Sequence, residues 1–256
     1  MIPVGAHVPS INPLEEAQER QAEIAQIFLS NPQSWKRPPP RQDAVALRDS
    51  PIPIYVHAPY LINVCADNNR VRIPSRRILQ DTCDAAAEVG ALAVIVHGGH
   101  VTGDGPQEEG IDRWRKALEA VDTKIPILIE NTAGGDKAVA RRVEWIARLF
   151  DEIGGFGVGF VLDTCHLWAG GEPLDEVVPR IMEATGRIDL VQVNDSKDPF
   201  DSRRDRHESL GKGQIPPDEM ARMIIEAGAP VVVETPGDVE DQAADIEWVR
   251  SVLRST

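Results

Sequence analysis

Seven apolar stretches of this chain end in a residue able to hold a metal ion or move a proton. His7 closes "IPVGAH", His57 closes "PIPIYVH", and His97 closes "ALAVIVH" with His100 shortly beyond. Glu130 closes "PILIE", and Asp163 closes "VGFVLD" with His166 in the turn that follows. Gln192 and Asp195 close "IDLVQVND", and Glu234 closes "PVVVE". A later segment, "DRHESLGKG", sets Asp205 two residues from His207. Taken singly, each has a bland reading: a strand-end histidine is a hydrogen-bonded structural residue, Asp163 a helix cap, and "SRRDRHE" a solvated loop. Yet all six histidines of the chain fall in these places. Imidazoles and carboxylates without thiolates suit zinc, manganese or iron. The donors outnumber what one ion needs, so two or three ions are expected, with Glu130 able to bridge two. Such a cluster polarises a phosphoryl group, generates hydroxide at neutral pH and stabilises a leaving oxygen.

The elements that must position these residues are short, β-branched and continuous in their apolar character, as in strands buried on both faces. Eight such runs occupy residues 2–8, 25–30, 51–60, 91–99, 126–131, 158–166, 188–195 and 230–235. Only the second brings no ligand-type group. Helical signals lie between them. Ile78, Thr82, Ala86 and Val89 share one face of a helix over 74–89, which Gly90 closes. Asp136 is expected to cap a helix reaching Phe150, Pro216 and Pro217 to open one ending near Gly228, and a last helix to run over 239–253. Eight β–α units in 256 residues predict an α/β fold, a single (β/α)8 TIM barrel spanning 1–256. In such a barrel every strand ends on the same rim, where barrel active sites are built.

Composition narrows the partners. No apolar run is long enough to span a bilayer, and "MIPVGAHVPS" has no basic region followed by an apolar stretch, so no membrane and a cytoplasmic protein are expected. Cys65, Cys83 and Cys165 form no C-x-x-C pair and are odd in number, as suits reduced thiols; Cys165 reads as a packing residue. The net charge of −14 opposes a polyanion at long range. Clustered divalent ions would invert that field where a phosphate sits. Arg41, Arg70, Arg72, Arg203, Arg204 and Lys212 are the loop-like cations available to help.

The strings "GAHV", "QIFLSNPQSW", "HAPYLINV", "VHGGH", "IENTAGG", "LDTCH", "NDSK", "DRHESLGKG" and "ETP" closely resemble the endonuclease IV family of apurinic/apyrimidinic endonucleases, in its shorter, actinobacterial-like form. They keep the family's order and cover essentially the whole chain. The resemblance implies a monomeric (β/α)8 barrel with zinc, acting on double-stranded DNA that contains abasic sites. The implied reaction is hydrolysis of the phosphodiester 5′ to the lesion, leaving a 3′-hydroxyl, with trimming of blocked 3′ ends. His57 and His97 would hold a first ion, with Glu130 bridging to a second held by Asp163 and Glu234. His166, Asp205 and His207 would hold a third. Glu130, Asp163 and Glu234 would be the catalytic carboxylates. Tyr60 and Leu61 would enter the duplex, and Gln33 and Ser34 would touch DNA where family members often carry an arginine.

One position departs from the family's pattern. Gln192 stands where the family usually has a histidine ligand to the second ion. A glutamine oxygen is a neutral and weaker donor for zinc than an imidazole. The departure implies a weakly held second ion, a harder ion such as manganese there, or two ions instead of three. Two other functions compete: a damaged-DNA-binding protein with a weakened centre, and a sugar isomerase or epimerase on a related barrel. The segments "DRHESLGKG" and "HAPYLIN" favour the nuclease, since a sugar isomerase has no need of them.

Overall fold

A computed structural model describes residues 2–255. In chain order it runs β1 (Val4–His7), α1 (Pro13–Glu19), β2 (Ala25–Phe28), α2 (Ala44–Arg48), β3 (Ile54–His57), α3 (Asn69–Glu88) and β4 (Ala93–His97). Next come α4 (Glu108–Leu118), β5 (Ile127–Glu130), α5 (Val143–Ile153), β6 (Gly159–Asp163), α6 (Thr164–Ala169), α7 (Val177–Thr185) and β7 (Leu190–Gln192). The chain finishes with β8 (Asp195–Ser196), β9 (His207–Glu208), α8 (Pro217–Ala227), β10 (Val231–Val233) and α9 (Val239–Arg254). Eight of the strands pair in parallel and close into a barrel in the order β1-β2-β3-β4-β5-β6-β7-β10. This is the expected (β/α)8 architecture. β8 and β9 form a small antiparallel hairpin outside it.

The period of two along each strand separates the barrel's two surfaces. Outward residues such as Val56, Val94, Ile129, Leu162 and Val191 pack under the helices in the main core. Inward residues form a second apolar cluster of Ile24, Tyr55, Ala93, Ile95, Leu128, Val161, Leu190 and Val232. One step further along the same inward rows stand Gln26, His57, His97, Glu130, Asp163, Gln192 and Glu234. The plug below is dry and packed, and burying each of its larger aliphatic side chains contributes roughly 2 kcal/mol. Gly5 belongs to the inward row of β1 because nothing larger fits: a Cβ there would overlap the Ile24 carbonyl oxygen.

Two element boundaries differ from expectation. α3 starts at Asn69 rather than near Pro74, because the Asn68 side chain accepts the Arg70 N–H at 2.9 Å and caps the helix one turn earlier. Pro74 is therefore inside a helix. Arg70 and Arg72, expected in a loop, lie in the first turn of that helix. Asp136 caps nothing: α5 begins at Val143 with Arg142 before it, and Asp136 is exposed and paired with Arg203. By contrast, Gly90 and Gly228 both adopt the left-handed conformation just past α3 and α8, as helix-closing glycines do. The three cysteines are free and buried. No described helix is long and apolar enough to cross a membrane.

Candidate metal centre

The strand register sets the ligand geometry. His97 pairs with Glu130 across β4 and β5, and Asp163 with Gln192 across β6 and β7. Glu130 lies fully buried at the middle of the rim. Its Oε2 is 3.0 Å from His57 Nε2 and its Oε1 is 3.3 Å from His97 Nε2. A second set gathers at β6 and the hairpin, where Asp205 Oδ1 is 3.1 Å from His166 Nε2 and 3.0 Å from His207 Nε2. Asp163 lies between the sets, its Oδ2 3.8 Å from His207 Nε2. Donor atoms of His57, His97 and Glu130 lie within 4.8 Å of one another, as do those of His166, Asp205 and His207, and those of Glu130, Asp163 and His166. Residues scattered from position 57 to 207 are thus brought to one mouth, as the strand ends implied.

Backbone contacts aim the imidazoles. His57 Nδ1 meets the Ala58 carbonyl at 2.7 Å, His166 Nδ1 the Asn131 carbonyl at 2.9 Å, and His207 Nδ1 the Glu234 carbonyl at 3.2 Å. Each Nδ1–H is therefore committed to a carbonyl, which leaves Nε2 facing the centre, able to offer a lone pair once its proton is given up. His166 Nδ1 also lies 2.9 Å from Glu130 Oε1, but its hydrogen is directed at Asn131, so that oxygen receives no aligned bond. Asp163 is held by two buried asparagines. Asn131 Oδ1 accepts the Asp163 N–H at 2.7 Å, and Asn194 Nδ2 donates to Asp163 Oδ2 at 2.7 Å. Asp163 Oδ1 accepts the His166 N–H at 2.6 Å, capping α6. Its expected role as a cap and its expected role as a donor are both available to one carboxylate, since each oxygen does one.

Crowded acids and imidazoles shift one another. Burial raises Asp163 to about 6 against the pull of His166 and His207. Burial resists the ionised form of Glu130 too, yet His97, His166 and His57 hold it well below the usual carboxylate range. Glu234 falls to about 2: burial opposes this, but contact with His7 prevails. Burial lowers His207, but Asp205 and Asp163 carry it up to about 9; His166 is raised well above its ordinary value by Asp163 and Asp205.

Glu130 Oε1, His166 Nε2 and His207 Nε2 are buried and make no aligned hydrogen bond, although His97 stands 3.3 Å from the first and Asp205 3.1 and 3.0 Å from the other two. Native interiors rarely leave such atoms unpaired. Their types, nitrogen and carboxylate oxygen facing one space, are those of a zinc-class ion. The residues present fit metal ions at His57–His97–Glu130 and at His166–Asp205–His207.

The fit is poorer around Glu234. This residue, expected as a ligand to a second ion, belongs to none of the donor groups found among the described residues. Its Oε1 is met instead by Gln26 Nε2, by Gln192 Nε2 at 3.2 Å and by His7 Nδ1 at 3.3 Å. Gln192 is fully buried, and its Nε2, not its oxygen, faces Glu234. Gln26 was missed on sequence, where β2 counted as the strand without a ligand-type group. The available signal was a glutamine within an apolar strand, since a buried amide needs partners. Asp195 is on the rim but is employed elsewhere, because its carboxylate accepts the N–H groups of Ser196, Gly211, Gly213 and Ile215. Cys165, expected as a packing residue, is buried, and burial raises its thiol to about 12, but its Sγ also lies within 4.8 Å of donor atoms of Asp163 and His207.

The surrounding loops carry the remaining candidates. Tyr60 is 51% exposed, and its ring lies 5.1 Å from Phe28, 5.6 Å from His57 and 5.9 Å from His97. Leu61 beside it is half-buried, Gln33 is exposed and Ser34 half-buried in the loop after β2. His100 ligates with none of the groups; it lines a cavity of about 210 Å³ with Tyr60, Asn63, His97, His166 and Asp205. Of the expected cations, Arg41 pairs with Asp43, Arg203 with Asp136, and Arg204 and Lys212 lie 3.6 and 3.7 Å from Asp198 and Asp241.

Known proteins resemble this chain in sequence and fold. The family described as xylose isomerase-like TIM barrel matches residues 14–252. The probable endonuclease 4 of Mycobacterium bovis (strain BCG / Pasteur 1173P2) is 59% identical over 232 residues, covering 91% of this chain and 92% of that protein. Its counterpart in Mycobacterium marinum is 56% identical over 252 residues, 98% of this chain and 99% of the relative. The crystal structure of endonuclease IV from Thermus thermophilus superposes with a TM-score of 0.84 at 29% identity, covering 99% of this chain and 100% of that one. A D-tagatose 3-epimerase-like protein superposes with a TM-score of 0.80 at 20% identity, covering 98% and 97%, a likeness of fold alone. With near-complete coverage at more than half identity, the chain belongs to the endonuclease IV family of xylose isomerase-like TIM barrels.

Proposed function

We propose that this protein is a DNA repair endonuclease, a hydrolase that cuts the phosphodiester 5′ to an abasic site to leave a 3′-hydroxyl and also trims blocked 3′ ends. The observation that carries the reading is the convergence of imidazole and carboxylate donor atoms, within 4.8 Å of one another in each group, at the mouth of a barrel of this family. His57, His97 and Glu130 would hold one zinc ion, and His166, Asp205 and His207 another, with Asp163 between them. When bound, such ions supply a nucleophile at neutral pH and stabilise charge on the phosphoryl and leaving oxygens.

The chain's own residues supply the rest. The carbonyls of Ala58, Asn131 and Glu234 keep three imidazoles from turning, and Asn131 and Asn194 keep Asp163 from turning. Tyr60 and Leu61 project from the loop after β3 to enter the duplex, and Gln33 and Ser34 meet DNA from the loop after β2. Burial and the neighbouring acids raise the Tyr60 hydroxyl, so it remains a hydrogen-bond donor at working pH. The 210 Å³ cavity beside the ligands suits a sugar without its base. An abasic nucleotide leaves the stack with little unstacking cost, which favours it over an intact one.

The test is nicking of a duplex oligonucleotide carrying one abasic site, by chelator-stripped protein before and after zinc is restored. The expected product supports polymerase extension from its new 3′ end. No cleavage with zinc or manganese, alongside tight binding of the abasic duplex, would instead identify a damage-binding protein.

A further inference from the structure

The rim holds one polar group that a cation centre does not explain. Gln26 on β2 and Gln192 on β7 are both fully buried, far apart in sequence and bonded to each other, Gln192 Nε2 donating to Gln26 Oε1 at 3.2 Å. Both turn their NH2 groups to the same oxygen, Glu234 Oε1. A carboxylate accepts only, so it settles which way each amide faces. An amide N–H has no lone pair to offer a cation. An ion drawn to this oxygen would meet hydrogens carrying partial positive charge, and turning either amide away would strand a buried polar group.

We propose that Gln26 and Gln192 act as one paired-amide lock on Glu234, so that the centre takes two divalent ions rather than three. One ion belongs to His57, His97 and Glu130, the other to His166, Asp205 and His207. Glu234 becomes a positioning residue, its carbonyl aiming His207, its Oε1 held by the two amides and its Oε2 3.5 Å from Asn194 Nδ2. The charge agrees. Glu234 stays ionised under its N–H donors, so it and Glu130, Asp163 and Asp205 bring four negative charges, which two divalent ions balance. The rival observation is Gln192 Oε1, which is buried without a partner. It could complete a third site, but as a neutral oxygen it is a weak donor to zinc. The inference rests on reading the rim as a metal-dependent nuclease centre.

The experiment counts zinc bound per chain by elemental analysis after reconstitution and dialysis, and measures affinities by competition with a chromophoric chelator. The wild type, Gln192→His, Gln26→Ala and the double variant Gln26→Ala/Gln192→His are compared, with circular dichroism and thermal unfolding as checks on folding. Two equivalents are expected for the wild type. The double variant is expected to gain a third, held roughly tenfold or more tighter than in Gln192→His alone, the scale on which a supporting hydrogen bond alters metal affinity. Three tightly held ions in the wild type overturn the proposal, whether or not the variants fold. A third ion held equally in the single and double variants overturns the role of Gln26. Abasic-site nicking by the wild type separates the two ideas. Two ions without nicking sinks the nuclease reading and leaves the lock standing, and nicking with three ions does the reverse.

Discussion

At the residue scale, what matters is which lone pairs each side chain has left after the fold has used the others. Glu130 touches three imidazoles, so replacing it by glutamine puts an amide where a negative charge is needed. Glu130→Gln is expected to lower abasic-site nicking by more than ~100-fold, beyond the 10–100-fold typical of losing a supporting contact, and to remove bound zinc while the barrel stays folded. Elemental analysis and circular dichroism check it. The histidines make a second prediction. In the metal-free protein His207 is raised to about 9 and His166 is raised well above its ordinary value, so both carry protons at pH 7. A metal needs them neutral. Zinc binding at pH 7 should therefore release at least one proton per chain, and release should decline as pH rises through 9. Calorimetry in buffers of different ionisation enthalpy reads it; a heat independent of buffer would refute it. Glu234 marks where sequence reasoning stops. Its type and place suit a ligand, but two amides that no spacing rule connects stand against its oxygen.

At the element scale, the hairpin of β8 and β9 decides whether the second ion set forms. Asp205 and His207 sit on or beside β9, and Asp195 pairs with Glu208 while gathering four backbone N–H groups. Asp195→Ala leaves those donors without an acceptor, at a cost of about 3 kcal/mol or more. Urea unfolding should show that loss, and elemental analysis should show one zinc equivalent gone from the His166–Asp205–His207 set, with the His57–His97–Glu130 set retained. Loss of both or of neither would contradict this division. The loop after β3 predicts a different separation. Leu61→Ala should weaken nicking of abasic duplex several-fold through KM while zinc content holds, because Leu61 stands outside the ligand groups. Tyr60→Ala should disturb both, since its ring packs on His57 and His97. The strands were readable from their apolar runs, and α8 and α9 from their prolines, glycine and amphipathic rows. The start of α5 was not readable. An aspartate followed by a helix-like stretch suits a cap, but residues 132–142 are drawn over the rim, where Gln107 and Arg203 hold them.

At the scale of the whole molecule, an acidic protein must grip an acidic polymer. Most of the cations expected to help are already paired with carboxylates, which leaves the ion centre and few free charges to meet phosphates. Each phosphate contact contributes about −0.9 to the slope of log affinity against log salt. The slope for abasic duplex should therefore be shallow, of magnitude below ~4, as read by anisotropy titrations between about 50 and 200 mM salt; a slope near ~−8 would mean a basic surface beyond these residues. The architecture itself follows from local pattern: eight continuous apolar runs alternating with helical stretches favour a barrel, and a barrel forces its strand ends onto one rim. The presence of a ligand-type residue at seven strand ends could be read the same way, because type and position along a strand are local facts. The partnership of Gln26 with Gln192, their shared hold on Glu234 Oε1 and the employment of Asp195 on the loop could not. They depend on which side chains meet across the barrel mouth, and contacts between strands distant in the chain are set by packing and register, not by any spacing along it.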